Sequence, residues 1–217
     1  MESSTINQTQ AMQIAIAQKM LELQNRIKGG VGWFFWIAGL SIINSIIYMM
    51  GSTTTFIIGL AVTQIIDRLA IGIGNEVPEM ATAMRIICIV LDVIIAGVFV
   101  ACGIFGIKRI RWVVIVGLVL YSLDALIFLA FGGWLPFLFH LFALWGLWRG
   151  MMAIKEIKAL EASQSTGDLD TIQKLMAVPH PSVSQKPSTF FRNFVFITIG
   201  LLVIALIIVV VFVLLSN

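Results

Sequence analysis

Three ionisable side chains lie inside long apolar runs of this chain: Asp92, Asp124 and His140. Each costs about 2.5–3.5 kcal/mol to place at the centre of a bilayer on insertion scales, so each needs a partner or a task. With the apolar runs taken as 31–50, 86–107, 112–131 and 134–148, Asp92 and His140 each stand six residues from one end and Asp124 stands seven. Asn44, on the first run, is also six residues from that end. At 1.5 Å per residue all four lie roughly 9–10 Å below one surface. Their faces agree as well. Ser41, Asn44, Ser45 and Tyr48 recur at helical spacing, and Cys88, Asp92 and Ala96 form a row of small residues. Gly117, Tyr121 and Asp124 form a second row, and Pro136, His140 and Ala143 a third. Asn44, Asp92, Asp124 and His140 are therefore expected to converge.

Such a layer supports three chemistries. Its polar groups can bond across helices and fix the bundle. A carboxylate in it can change protonation and carry protons or a solute. A metal could use His140 with the two carboxylates, but no second histidine or acid stands at ligand spacing on its own helix, so no metal site is assigned. A second group, Gln64, Asp67 and Arg68, ends a short apolar stretch and forms a polar stripe with Gly59 and Thr63. It reads as a lid or ion pair over the layer, or as an ordinary solvated face. The sequence holds no phosphate loop, no His-Glu-x-x-His, no Gly-x-Ser-x-Gly and no Cys-x-x-Cys. The chain is read as non-enzymatic and without a cofactor.

The elements that must hold these residues are membrane helices. Of 217 residues, 59% are hydrophobic and 12% charged, and the mean hydropathy is +1.02. A soluble domain carries about 25% charged residues, and a chain this apolar could not cover its own surface in water. In lipid only a helix or a closed barrel satisfies its backbone, and runs of this length fit helices. The expected fold is an all-α polytopic bundle of five spans plus one short outer-face helix, interfacial or re-entrant, over Phe56–Ile66; six spans is the alternative. The domains read as an amphipathic N-terminal helix (1–30), a bundle (31–153), a cytoplasmic helix extension and linker (154–193) and a C-terminal span (194–217). Gly29-Gly30 is expected to stop the first helix, residues 72–84 to form a loop, 164–190 to form a polar linker, and Gly132-Gly133 to make a tight hairpin.

Five spans place twelve of the fourteen Lys and Arg residues on one side, leaving Arg68 and Arg85 opposite. The positive-inside rule then puts the N-terminus in the cytoplasm and the C-terminus outside. The net charge of +3 is topological and carries no nucleic-acid signal. With no basic region ahead of a short apolar core, the first span is expected to act as an uncleaved signal anchor. Cys88 and Cys102 lie about 21 Å apart on one helix and cannot pair there. Gly146-Leu-Trp-Arg-Gly150 reads as a helix-packing motif.

The runs Trp33–Ser45 and Leu120–Leu126, with His140 to Gly150 after them, resemble a group of small bacterial multispan membrane proteins. In that group the segment resembling Gly59–Gln64 also precedes an acidic residue. The resemblance covers residues 31–153 and implies a bacterial inner-membrane location, with no activity attached. The leading expectation is a scaffold or accessory subunit whose partners are the bilayer and a protein docked on the N-terminal helix. The alternative is a small transporter or channel using the Asp/Asp/His layer.

Overall fold

A computed structural model of the chain describes residues 2–49, 59–177 and 200. Among them every regular element is helical: α1 (Glu2–Val31), α2 (Trp33–Met49), α3 (Ala61–Glu76), a 3-10 turn (Pro78–Met80), α4 (Ala81–Ile107), α5 (Arg111–Ala130), α6 (Trp134–Thr166) and α7 (Leu169–Ala177). Four stretches are long and apolar enough to cross a membrane: Gln10–Ile47, Pro78–Ile107, Arg111–Ala130 and Trp134–Thr166. The chain is thus an all-helical membrane protein. Leu123 and Leu126 on α5, Ile94 and Val98 on α4, and Phe142 and Trp145 on α6 are exposed, as side chains solvated by lipid would be.

Gly29-Gly30 does not stop the first helix. Neither glycine adopts the left-handed backbone that a helix-ending glycine uses. α1 runs on to Val31, and Gly32 joins it to α2 by accepting from the amides of Phe35 and Trp36. Gly30 serves packing instead: a Cβ there would lie 2.4 Å from the Cα of Gly150. Gly146 makes the matching room for the Trp33 indole. The Gly-x-x-x-Gly motif is therefore the seat on which α1 and α2 cross α6 within one chain.

Beyond that crossing, α1 and the second half of α6 continue side by side. Ile16, Leu23 and Ile27 of α1 pack in one core with Ile154, Ile157 and Leu160 of α6 and Ile172 of α7. A partly buried charge cluster closes this end: Glu156 faces both Lys19 (3.6 Å) and Arg26 (3.3 Å). The linker expected from residue 164 is helical at its start. α6 ends at Gly167, in the left-handed region, and Asp168 caps α7 by accepting from the amide (3.0 Å) and hydroxyl (2.6 Å) of Thr171. These two donors hold the Asp168 carboxyl below the usual carboxylate range. The C-terminal span at 194–217 lies outside the described residues.

The other turns follow local chemistry. Gly132 has a φ of +72°, and the Gly133 amide closes α5 on the Phe128 carbonyl at 2.8 Å, so the α5–α6 hairpin is as tight as expected. At the α4–α5 turn Arg109 itself takes the left-handed backbone and pairs with Glu161. Gly106 of α4 packs on Val31, which brings the end of α4 to the start of α2. The two helices are therefore antiparallel, and the Lys108–Arg111 cluster lies at the same end of the bundle as the α1 cations.

Between α2 and α4 the chain departs from the sequence expectation. The short helix is Ala61–Glu76, starting later than 56 and running through Gly72 and Gly74, where a loop was expected. Neither glycine takes the left-handed backbone, and Gly74 makes room for Ala81 of α4, which a Cβ there would meet at 3.1 Å.

Candidate functional site

α3 begins inside the bundle. Its first turn meets Ser41, which stands eight residues before the last residue of α2, about 12 Å along the helix. A helix that starts in such a place has backbone amides that water cannot satisfy. Other helices satisfy them here. The Leu60 amide donates to Ser41 Oγ at 2.8 Å, that of Ala61 to Asp124 Oδ2 at 2.9 Å and that of Val62 to Asp124 Oδ1 at 3.0 Å. Thr63 turns its hydroxyl back onto the Leu60 carbonyl at 2.9 Å. A carboxylate at a helix N-terminus is also favoured by the helix dipole.

Asp124 has a further partner, His140 Nε2, at 3.0 Å from Oδ2. The other ring nitrogen fixes the proton count. His140 Nδ1 lies 2.8 Å from the Pro136 carbonyl, which can only accept, so Nδ1 carries hydrogen. One hydrogen then stands between Nε2 and Oδ2, and the pair is electrically neutral whichever atom holds it. The imidazole is fully buried, stacked on Tyr121 at 4.4 Å and tilted against Phe128 at 5.0 Å. Pro136 sits in the first turn of α6, where a missing amide hydrogen leaves no helical bond unmade.

Asp92 is placed differently. It is 4% exposed, and among the described residues neither of its oxygens has a well-aligned hydrogen bond. The carboxylate facing it is Asp67 of α3, also buried, with Ser45 of α2 beside both. The Ser45 hydroxyl is buried too, and it also lacks a well-aligned partner among the described residues. One turn before Asp92, Cys88 donates to the Ile66 carbonyl at 3.3 Å, which fixes α4 against α3 at this level.

The four residues expected to converge are all buried, but they form two centres. Asp124 and His140 meet; Asp92 meets Asp67 and Ser45, and no hydrogen bond joins it to Asp124. α3 links the centres, with its first turn on Asp124 and Asp67, one turn further on, facing Asp92. Asn44 packs where the chain enters α3: a Cβ at Gly59 would lie 2.3 Å from Asn44 Nδ2, with Gln64 Nε2 3.7 Å away, so a side chain there would have to displace the Asn44 amide. Arg68 is exposed and makes no ion pair with Asp67 among the described residues. Asp67 thus faces inward. The side chain of Tyr48 lies outside the described residues.

The sequence reading missed the amides of residues 60–62 as partners of Asp124, and Asp67 as the partner of Asp92. The second had a signal: Thr63 and Asp67 are one turn apart and share the inward face of α3, opposite the small-residue row of α4. Among the described residues no three His, Cys, Asp or Glu side chains gather as a metal-holding set. Compared with family models, curated proteins and solved structures, the chain matches none.

Proposed function

We propose that this protein is a small transporter or channel for protons or a small monovalent cation, with Asp67 and Asp92 as its binding centre. The observation that carries this reading is the pair itself. Two buried carboxylates face each other in the bundle, beside a buried hydroxyl and without a cationic partner among the described residues. Two such groups cannot both stay ionised there, so a proton or a cation must stand between them. α3 supplies one carboxylate and starts inside the bundle, as the interrupted helices of transporters do at their binding sites.

The topology that goes with this function has five spans: the four described here and 194–217. α3 dips in and returns on the outer side, and the N-terminus faces the cytoplasm of a bacterial inner membrane. Its support is the gathering of Lys19, Arg26, Lys28, Lys108, Arg109, Arg111 and Arg149 toward one end of the bundle. A scaffold role is the second reading, favoured by the complete bonding of Asp124, which holds α3 without need of a ligand. Its other support is weaker, because the apolar stripe of α1 that would dock a partner packs on α6 and α7.

The experiment is ion flux into proteoliposomes under an imposed potential, read with an internal pH dye and a sodium dye. Wild type moves one of the two ions, while Asp92→Asn and Asp67→Asn do not. Equal flux from wild type and both variants, or none above empty vesicles, would leave the scaffold reading in its place.

A further inference from the structure

At the end of the bundle that carries the basic residues, which the proposed topology places in the cytoplasm, a cavity of about 190 Å³ opens between the α1–α2 junction and α6. Its floor is the glycine crossing of Gly29, Gly30 and Gly146, of which Gly29 leaves open space beside it. Its walls are Trp33 and Trp145. Arg26, Arg149 and Asn25 also line it. Arg149 lies over the Trp145 ring at 4.7 Å, and among the described residues no carboxylate pairs with it. Arg26 gives one nitrogen to Glu156, yet its Nε is buried without a hydrogen-bond partner. Lys19 also faces Glu22 at 3.9 Å, so Lys19 and Arg26 are matched by Glu22 and Glu156, and Arg149 is the cation left over at the cavity.

We propose that this cavity binds the phosphate headgroup of an anionic phospholipid. A planar guanidinium with no protein counter-ion matches two phosphate oxygens at once. Stacking on Trp145 holds the Arg149 fork in place and lowers the ordering cost of binding. The source is lipid rather than a free phosphate because of what borders the site. Trp145 and Phe142 are more than half exposed, and on a span they would offer an apolar track for acyl chains beneath the headgroup. Tryptophan at this level is the usual residue of the bilayer interface, and basic pockets between membrane helices on the cytoplasmic side suit anionic lipid.

The test is native mass spectrometry of the full chain in detergent, with phosphatidylglycerol or phosphatidylcholine added at equal concentration. Phosphatidylglycerol should be retained about fivefold more, consistent with one well-placed cation. Arg149→Gln should lose that preference while melting like wild type in lipid-free detergent. Arg111→Gln, which removes a cation at the same end but outside the cavity, should keep it. Equal retention of the two lipids by wild type would overturn the proposal without any variant. So would a preference that survives Arg149→Gln, or one that Arg111→Gln also abolishes. Displacement of the lipid by millimolar inorganic phosphate would make this a phosphate site and overturn the lipid assignment.

Discussion

Asp124 Oδ2 and His140 Nε2 stand 3.0 Å apart with one hydrogen between them, and the same carboxylate takes the amides of Ala61 and Val62. Three helices depend on that one side chain. Asp124→Ala would leave two buried amides and a buried imidazole unpaired, and should destabilise by about 3–5 kcal/mol, the range for breaking a buried pair. Asp124→Asn keeps a carbonyl acceptor for one amide and should lose less. Thermal unfolding in detergent ranks the two.

Asp92 should respond in the opposite direction. Held against Asp67 inside the bundle, with no well-aligned hydrogen bond to either oxygen among the described residues, the Asp92 carboxyl is a liability to folding even with a proton shared between the two. Asp92→Asn removes the charge at constant shape and should raise stability by about 1–3 kcal/mol, the penalty of an unmet buried polar group. A residue that lowers stability where it sits is a mark of function. The same unfolding assay, run beside Asp124→Asn, shows whether the two shifts have opposite sign.

Neighbouring glycines should also part company. Gly29 has open space where a Cβ would point, so Gly29→Ala should stabilise α1 by about 0.5–1 kcal/mol through helix propensity. At Gly30 a Cβ would stand 2.4 Å from the Gly150 backbone, and Gly30→Ala should cost about 1–3 kcal/mol as the helices are pushed apart. Chemical or thermal unfolding of the two single variants is sufficient.

The α7 cap should be sensitive to acid. The folded state depresses the Asp168 carboxyl, so its contribution is present above the unfolded value of about 4 and is lost as pH falls through the lower folded value. A spin label at the exposed position Gln173 should become more mobile over that acid range. Asp168→Ala should show the mobile spectrum already at neutral pH, and Asp168→Asn should not.

Counting residues from span ends was enough to bring Asp124 and His140 to one height, because both lie on straight helices joined by a two-glycine turn. It could not separate Asp92 from Asp124. That separation depends on α3, whose polar stripe reads equally as a solvated face or as a buried one. Length misplaced this element: Phe56–Ile66 is the apolar run, but helical structure is described from Ala61 onward through Gly72 and Gly74. The partners of its first turn are backbone amides, which leave no trace in residue types. Gly30 was misread for a related reason. A glycine that ends a helix and one that lets two helices touch look alike until the opposing backbone, here Gly150, is in place.

The central claim is that Asp67 and Asp92 hold a proton or a small cation between them. Infrared spectroscopy of the protein in lipid, at neutral pH and without sodium, reads this directly through the carbonyl stretch of a protonated carboxylic acid. Wild type should show that band, and sodium should diminish it only if the centre takes the metal ion as well. Asp92→Asn and Asp67→Asn should each remove or shift it, while Asp168→Asn should leave it unchanged. A wild-type spectrum without the band in the absence of sodium, or a band indifferent to both Asp67→Asn and Asp92→Asn, would contradict the account.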